Sequence, residues 1–266
     1  MTHQKMLTRN VIIQSLVDAL QPLGYVYAFW EGGAAAFNRI DDWSDIDLYV
    51  VVDSGKINET FSACERAFQK LSVIEQKYEV LHPRSSGLFQ AFYRLKEAGE
   101  YLIIDLAILT PSSPEKFLEP EIHGEAVFYF SKSNVVQPQQ LDRAAFIEQL
   151  QMRIEKLQSK FDMFSNFIQK ELNRRNHLEA IDLYHNLVLG TLVEALRIKY
   201  NPYHSDFKMR YVHYELPPKI IDKLKRLYFV RDEEELREKN HVAVKWFNRL
   251  RSETIFKDPS RLIEKN

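Results

Sequence analysis

An α/β domain built on a mixed sheet, followed by an all-α helical bundle, is the fold class predicted by this 266-residue sequence. Three observations predict it. Apolar runs of strand length, separated by turn residues, fill the first 140 residues. Beyond them apolar residues recur at intervals of three and four, and the chain is nearly free of glycine. Between the two patterns, Pro111, Pro114, Pro120 and Pro138 punctuate a stretch of mixed short elements. The boundary is therefore expected near residue 140, with domains 1–140 and 141–266.

In order, residues 7–20 read as a helix, with Leu16 and Leu20 on its apolar face and Pro22 and Gly24 at its end. Residues 25–30 form a strand that leads into Gly32-Gly33. A short helix is expected over 34–40 and a second strand over 45–52. Ser54 is placed to cap the next helix, where Ile57, Phe61, Cys64, Phe68 and Leu71 make one stripe. Cys64 thus belongs to the core rather than to a nucleophile. Strands over 76–82 and 88–95 form a hairpin through Arg84-Ser85-Ser86-Gly87. Residues 101–109 are apolar except for Asp105, as in a central strand covered on both faces. Residues 127–130 read as an edge strand, and His123 before them as a surface histidine. The second half predicts one long helix over 146–172 and another over 177–199, stopped by Asn201-Pro202. A third starts at Pro217-Pro218 and a fourth covers 232–251, with the acidic run 232–235 at its favoured end.

Composition narrows the classes. The chain is 45% hydrophobic with a formal net charge of −1, so nothing draws it as a whole to nucleic acid or anionic membranes. One cysteine excludes an intrachain disulfide and a cysteine metal cluster. No apolar run reaches the ~20 residues of a membrane span, and the first five residues lack a signal-peptide core. A cytoplasmic location is expected.

The chemistry centres on residues 29–53. Side chains alternate along a strand, so Asp45 and Asp47 project to the same side. Two like charges on one face are costly unless a cation offsets them. Gly32 and Gly33 let backbone amides approach a ligand closely. Carboxylates for Mg²⁺ beside amides for phosphate describe a metal-nucleotide site. Asp105 is a third carboxylate in an apolar run, expensive to bury without a partner.

Gly32-Gly33 followed by Ser44-Asp45-Ile46-Asp47 resembles the nucleotidyltransferase superfamily typified by DNA polymerase beta, especially its antibiotic (aminoglycoside and lincosamide) nucleotidyltransferase branch. The resemblance covers the N-terminal motif well and the second half loosely. Gly33 stands where Ser is commonest, and Phe37 about where many members have another Gly. The resemblance implies that Asp45, Asp47 and Asp105 hold one or two Mg²⁺ ions. Asp105 is either a ligand or the base for the acceptor hydroxyl. Gly32, Gly33, Ser44 and Arg39 would serve the nucleotide.

Residues 201–217 are too aromatic and basic for an idle linker. They resemble a segment of streptomycin-type adenylyltransferases, which implies that Lys208 reaches the triphosphate, with Arg210 a second candidate. His204 and His213 read as hydrogen-bonding loop residues. Glu194 and Asp182 are candidate bases in the helical half, with Glu194 paired to Arg197 or Lys199 as its plainer reading. The implied reaction moves a nucleoside monophosphate, with ATP the expected donor, to a hydroxyl of a small molecule, an aminoglycoside-type antibiotic among the candidates. The helical domain would close the substrate cleft. A protein- or RNA-modifying transferase and a non-catalytic nucleotide-binding or antitoxin-like module stay open, as does a monomeric or homodimeric state. Nucleic acid and membrane partners are not expected.

Overall fold

The computed structural model describes residues 7–132, 134–138, 140–253 and 256–263. Residues 1–5, read above for a signal core, lie outside them. The chain divides into two compact units, Met1–Leu141 and Asp142–Asn266.

The first unit contains, in order, α1 (Arg9–Leu20), β1 (Val26–Glu31), α2 (Gly33–Ala36), β2 (Ile46–Val52), α3 (Ile57–Leu71), β3 (Ile74–Val80), β4 (Leu88–Leu95), β5 (Ile104–Leu109), α4 (Pro120–His123) and β6 (Val127–Ser131). Its six strands form one sheet in the order β3-β4-β5-β2-β1-β6. β2 and β5 pair in parallel and the other neighbours antiparallel, so the sheet is mixed, with β6 at an edge. Alternation along β2 sends Ile46, Leu48, Val50 and Val52 to one face, where Ile12 and Leu16 of α1 and Cys64 and Phe68 of α3 bury them. The opposite face carries Tyr49 and Val51, packed with Trp30, Leu109 and Leu118.

Local bounds change: β3 runs Ile74–Val80 rather than 76–82, β5 begins at Ile104 rather than 101, and two helices differ. α2 stops at Ala36 rather than running to residue 40, because Asn38 turns to φ 53° and the Arg39 amide bonds back to Ala34 O at 2.8 Å. α3 begins at Ile57 with Lys56 in the N-cap position and no side-chain cap. Ser54 lies in the turn before it, which the Lys56 amide closes on Asp53 O at 2.8 Å.

The second unit is helical: α5 (Arg143–Phe164), α6 (Phe167–Asn173), α7 (His177–Leu183), a π-helical turn (Tyr184–Leu189), α8 (Gly190–Tyr200), α9 (Val212–Glu215), α10 (Pro218–Tyr228), α11 (Glu233–Arg251) and α12 (Ser260–Ile263). Asp142 caps α5 by accepting from the amides of Ala144 and Ala145 at 3.1 and 3.0 Å. The continuous helix expected over 146–172 is two, broken at Ser165-Asn166. The apolar stripe crosses that break, so periodicity alone hides it: Leu150, Ile154, Leu157, Phe161, Ile168 and Leu172 are all buried in one core with Leu192, Leu196 and Phe247. Asp232 caps α11 through the Glu235 amide at 2.9 Å.

Candidate functional site

β2 and β5 bring the acidic residues together. Their parallel register places Asp47 beside Asp105, and Asp45 immediately precedes β2. Gln90 on β4 donates its amide to both Asp105 oxygens, at 2.7 and 2.9 Å, and its carbonyl oxygen meets His82 Nε2 at 2.9 Å. Burial raises the Asp105 carboxyl, Gln90 and the charge of His82 lower it, and the charges of Asp47 and Asp45 add to the rise, leaving it at about 6. Burial likewise raises Asp45 above its ordinary value. The Ile103 amide at 3.4 Å and the charge of Arg9 oppose that rise.

The glycine turn faces the same carboxylates. Gly33 has φ +53°, and a Cβ there would fall 1.7 Å from Asp47 Oδ2. The place of a side chain is therefore taken by the Asp47 carboxylate, which gives a physical reason for glycine where the resemblance leads one to expect serine. A Cβ on Gly32 would strike Tyr49 Cε2 at 2.8 Å, and the Gly32 amide bonds to Asp47 O at 2.9 Å. Turn and strand are thus fastened by backbone and by exclusion. Three hard oxygen donors beside this cradle fit Mg²⁺.

The ligand atoms of the three aspartates do not all lie within 4.8 Å of one another. Among the described residues, the group of three His, Cys, Asp or Glu whose ligand atoms all lie within 4.8 Å of one another is instead Glu115, Glu119 and His123. His123, read from sequence as a surface residue, stands with its Nε2 3.9 Å from Glu119.

A fourth carboxylate escaped the sequence reading. Glu31 ends β1, is 2% exposed, and lies beside Leu48 on the helix-covered face. Arg9 pairs with it at 2.5 Å and also donates to Asp45 O at 2.8 and 2.9 Å. The Tyr129 hydroxyl donates to its other oxygen. The register shift between β1 and β6 lets Tyr129 and Phe130 both reach that face. Burial raises the Glu31 carboxyl, and Tyr129 and Arg9 hold it partly back. The arrangement ties the ends of β1 and α1 to the start of β2, so Glu31 and Arg9 position Asp45. An acidic residue at the end of an apolar run was the available signal.

Ser44 turns its hydroxyl to Asp41 Oδ1 at 2.7 Å and accepts from the Asp41 amide at 2.9 Å, shaping the turn before β2. Arg39 lies over the Phe37 ring, 5.0 Å from its centroid.

In the helical unit, Lys208 and Glu194 line one pocket of about 600 Å³, together with Arg153, Lys156, Lys160, His185 and Tyr228. Glu194 is held by Arg153 Nε at 2.6 Å, and not by Arg197 or Lys199 as the sequence suggested. Lys199 pairs with Glu253, and Arg197 is fully buried elsewhere. Arg197 meets Glu215 at 2.6 Å, donates to Lys208 O at 2.6 Å, and also bonds Arg210 O. His204 Nδ1 meets Glu215 at 2.7 Å. This buried network holds Lys208 and Tyr211 at φ 52° and 62°, a region that costs a non-glycine residue about 1–2 kcal/mol. Arg210 is stacked over Phe207, 4.4 Å from its centroid, and is not among the pocket's lining residues. Asp182 is exposed, bonded by Asn186 at 2.7 Å, and also not among them.

No protein-family model and no curated protein matches the chain. Solved structures similar to it include an aminoglycoside 6-adenyltransferase from Bacillus subtilis, 13% identical, covering 94% of this chain and 89% of that one at a TM-score of 0.35. A spectinomycin adenyltransferase from Enterococcus faecialis, with ATP and spectinomycin, is 11% identical and covers 91% and 98% at 0.39. A CCA-adding enzyme with ATP is 12% identical and covers 97% and 71% at 0.32.

Proposed function

We propose that the chain is a Mg²⁺-dependent nucleotidyltransferase that moves a nucleoside monophosphate, AMP from ATP, to a hydroxyl of a small molecule. The observation that supports this best is the in-register pair Asp47 and Asp105, with Asp45 just before β2, beside a glycine turn whose side-chain space Asp47 occupies. Three costly acids gathered in this way have little structural use.

Asp45 and Asp47 would hold the cation, with Asp105 as third ligand or as base. A bound Mg²⁺ neutralises phosphate charge and orients an in-line displacement. Gly32 and Gly33 let the Asp47 carboxylate and the Tyr49 ring pack against the turn. Asp105, its carboxyl raised to about 6, is mostly ionised near neutral pH and so able to take a proton, and Gln90 fixes its plane. The acceptor O–H yields its proton to Asp105 as the oxygen bonds to the α-phosphorus. The bond from that phosphorus to the bridging oxygen breaks, and pyrophosphate leaves.

The test is ATP turnover with and without Mg²⁺. Asp45→Asn and Asp47→Asn are expected to lower it by ~10³-fold or more, as loss of a main electrostatic element does, while circular dichroism stays that of the wild type. Near-wild-type turnover in either variant would refute the site.

A further inference from the structure

We propose that the pocket of the helical unit takes an anionic small molecule other than the nucleotide, one bearing a phosphate or carboxylate on a flat ring, and not a polycation.

The charge of the lining carries it. Arg153, Lys156 and Lys160 stand three and four residues apart on α5, so they share a face and repel one another. Lys208 adds a fourth cation to the lining. Glu194 neutralises Arg153 at 2.6 Å. No ion pair or hydrogen bond engages the side chains of Lys156, Lys160 or Lys208 among the described residues, and Asp206 is the remaining acid of the lining. An anion relieves that repulsion, whereas a polyamine adds to it.

The pocket is also built. The π-helical turn between α7 and α8 sets His185 and Asn186 into its wall, and such turns are frequent at functional sites. The rings of His185 and Tyr228 stack there with centroids 5.7 Å apart and planes at 18°, offering a flat surface to a ring. The Lys208 backbone is kept left-handed by the buried Arg197 guanidinium, so the position of this lysine is imposed from beneath.

Calorimetric titration of phenyl phosphate into the full chain tests the idea, in EDTA so that the aspartate site holds no cation. Binding is expected in the wild type, at least tenfold weaker in Lys156→Gln/Lys160→Gln, and unchanged in Asp45→Asn. Both lysines are exposed, so the double variant should fold. Binding should persist when Mg²⁺ and a non-hydrolysable ATP analogue are added, and kanamycin, a polycation, should not bind. Equal affinity in the double variant, no binding to the wild type, or binding of kanamycin overturns the proposal. Displacement by the ATP analogue assigns the pocket to the nucleotide and overturns the proposal. If the analogue never binds while phenyl phosphate follows the lysines, the transferase reading fails and the anion site stands.

Discussion

At the scale of single residues, Gly33 illustrates how an exclusion can define a site. Its backbone is left-handed and its missing side chain is the room in which Asp47 sits. Gly33→Ser should therefore not improve phosphate binding. It should displace the Asp47 carboxylate, lower Mg²⁺-dependent ATP turnover at least tenfold, and cost ~1–2 kcal/mol from backbone strain, read by urea denaturation. Cys64 gives the opposite case. It is fully buried, and burial pushes its thiol up to about 12, so it stays protonated and shielded. A disulfide-exchange reagent at neutral pH should leave it unmodified in the folded chain and label it once the chain is unfolded. Asp45, Asp47 and Asp105 were legible because each breaks an apolar strand pattern. Glu31 was not, because its partners Arg9 and Tyr129 lie 22 and 98 residues away and only the fold joins them.

At the scale of elements, strands were read more closely than their boundaries deserved. β4 spans Leu88–Leu95 as alternation predicts, and β6 is at an edge. The helical breaks were hidden for a shared reason. A stripe at intervals of three and four survives both the Ser165-Asn166 break and the π-helical turn, since neither needs proline or glycine inside it. The segment between α8 and α10 depends on Arg197 and Glu215, whose side chains are 0% and 5% exposed. Burial raises the Glu215 carboxyl, but His204 and Arg197 outweigh it and leave it below its ordinary value. A lowered carboxylate stabilises the fold above its unfolded-state value and loses that contribution as pH falls through the folded one. Glu215→Gln leaves Arg197 buried without its ion pair, and should cost ~3–5 kcal/mol at neutral pH. The difference from wild type should shrink as acid protonates Glu215, which urea titrations at neutral and acid pH would show.

At the scale of the whole molecule, the net charge of −1 conceals a division. The first unit has 12 Lys and Arg against 18 Asp and Glu, the second 24 against 19. Averaging over the chain hid the basic pocket, and only the placement of Arg153, Lys156, Lys160 and Lys208 on common walls exposes it. The acidic unit holds the proposed cation site and the basic unit the proposed anion site. Saturating Mg²⁺ and ATP should stabilise the wild type by about 2–3 kcal/mol at a hundredfold excess over Kd. A thermal melt should then shift upward for the wild type and stay fixed for Asp45→Asn. A shift of equal size in both would remove Asp45 from the nucleotide site.

The bonds running from His82 through Gln90 to Asp105 also fix a tautomer. Gln90 gives its amide hydrogens to the carboxylate, so its carbonyl oxygen must receive one from His82 Nε2. The imidazole therefore carries its proton on Nε2, and Gln90 cannot rotate end for end without breaking both contacts. Nitrogen chemical shifts of His82 would then report, from outside the aspartate cluster, whether that amide is in place.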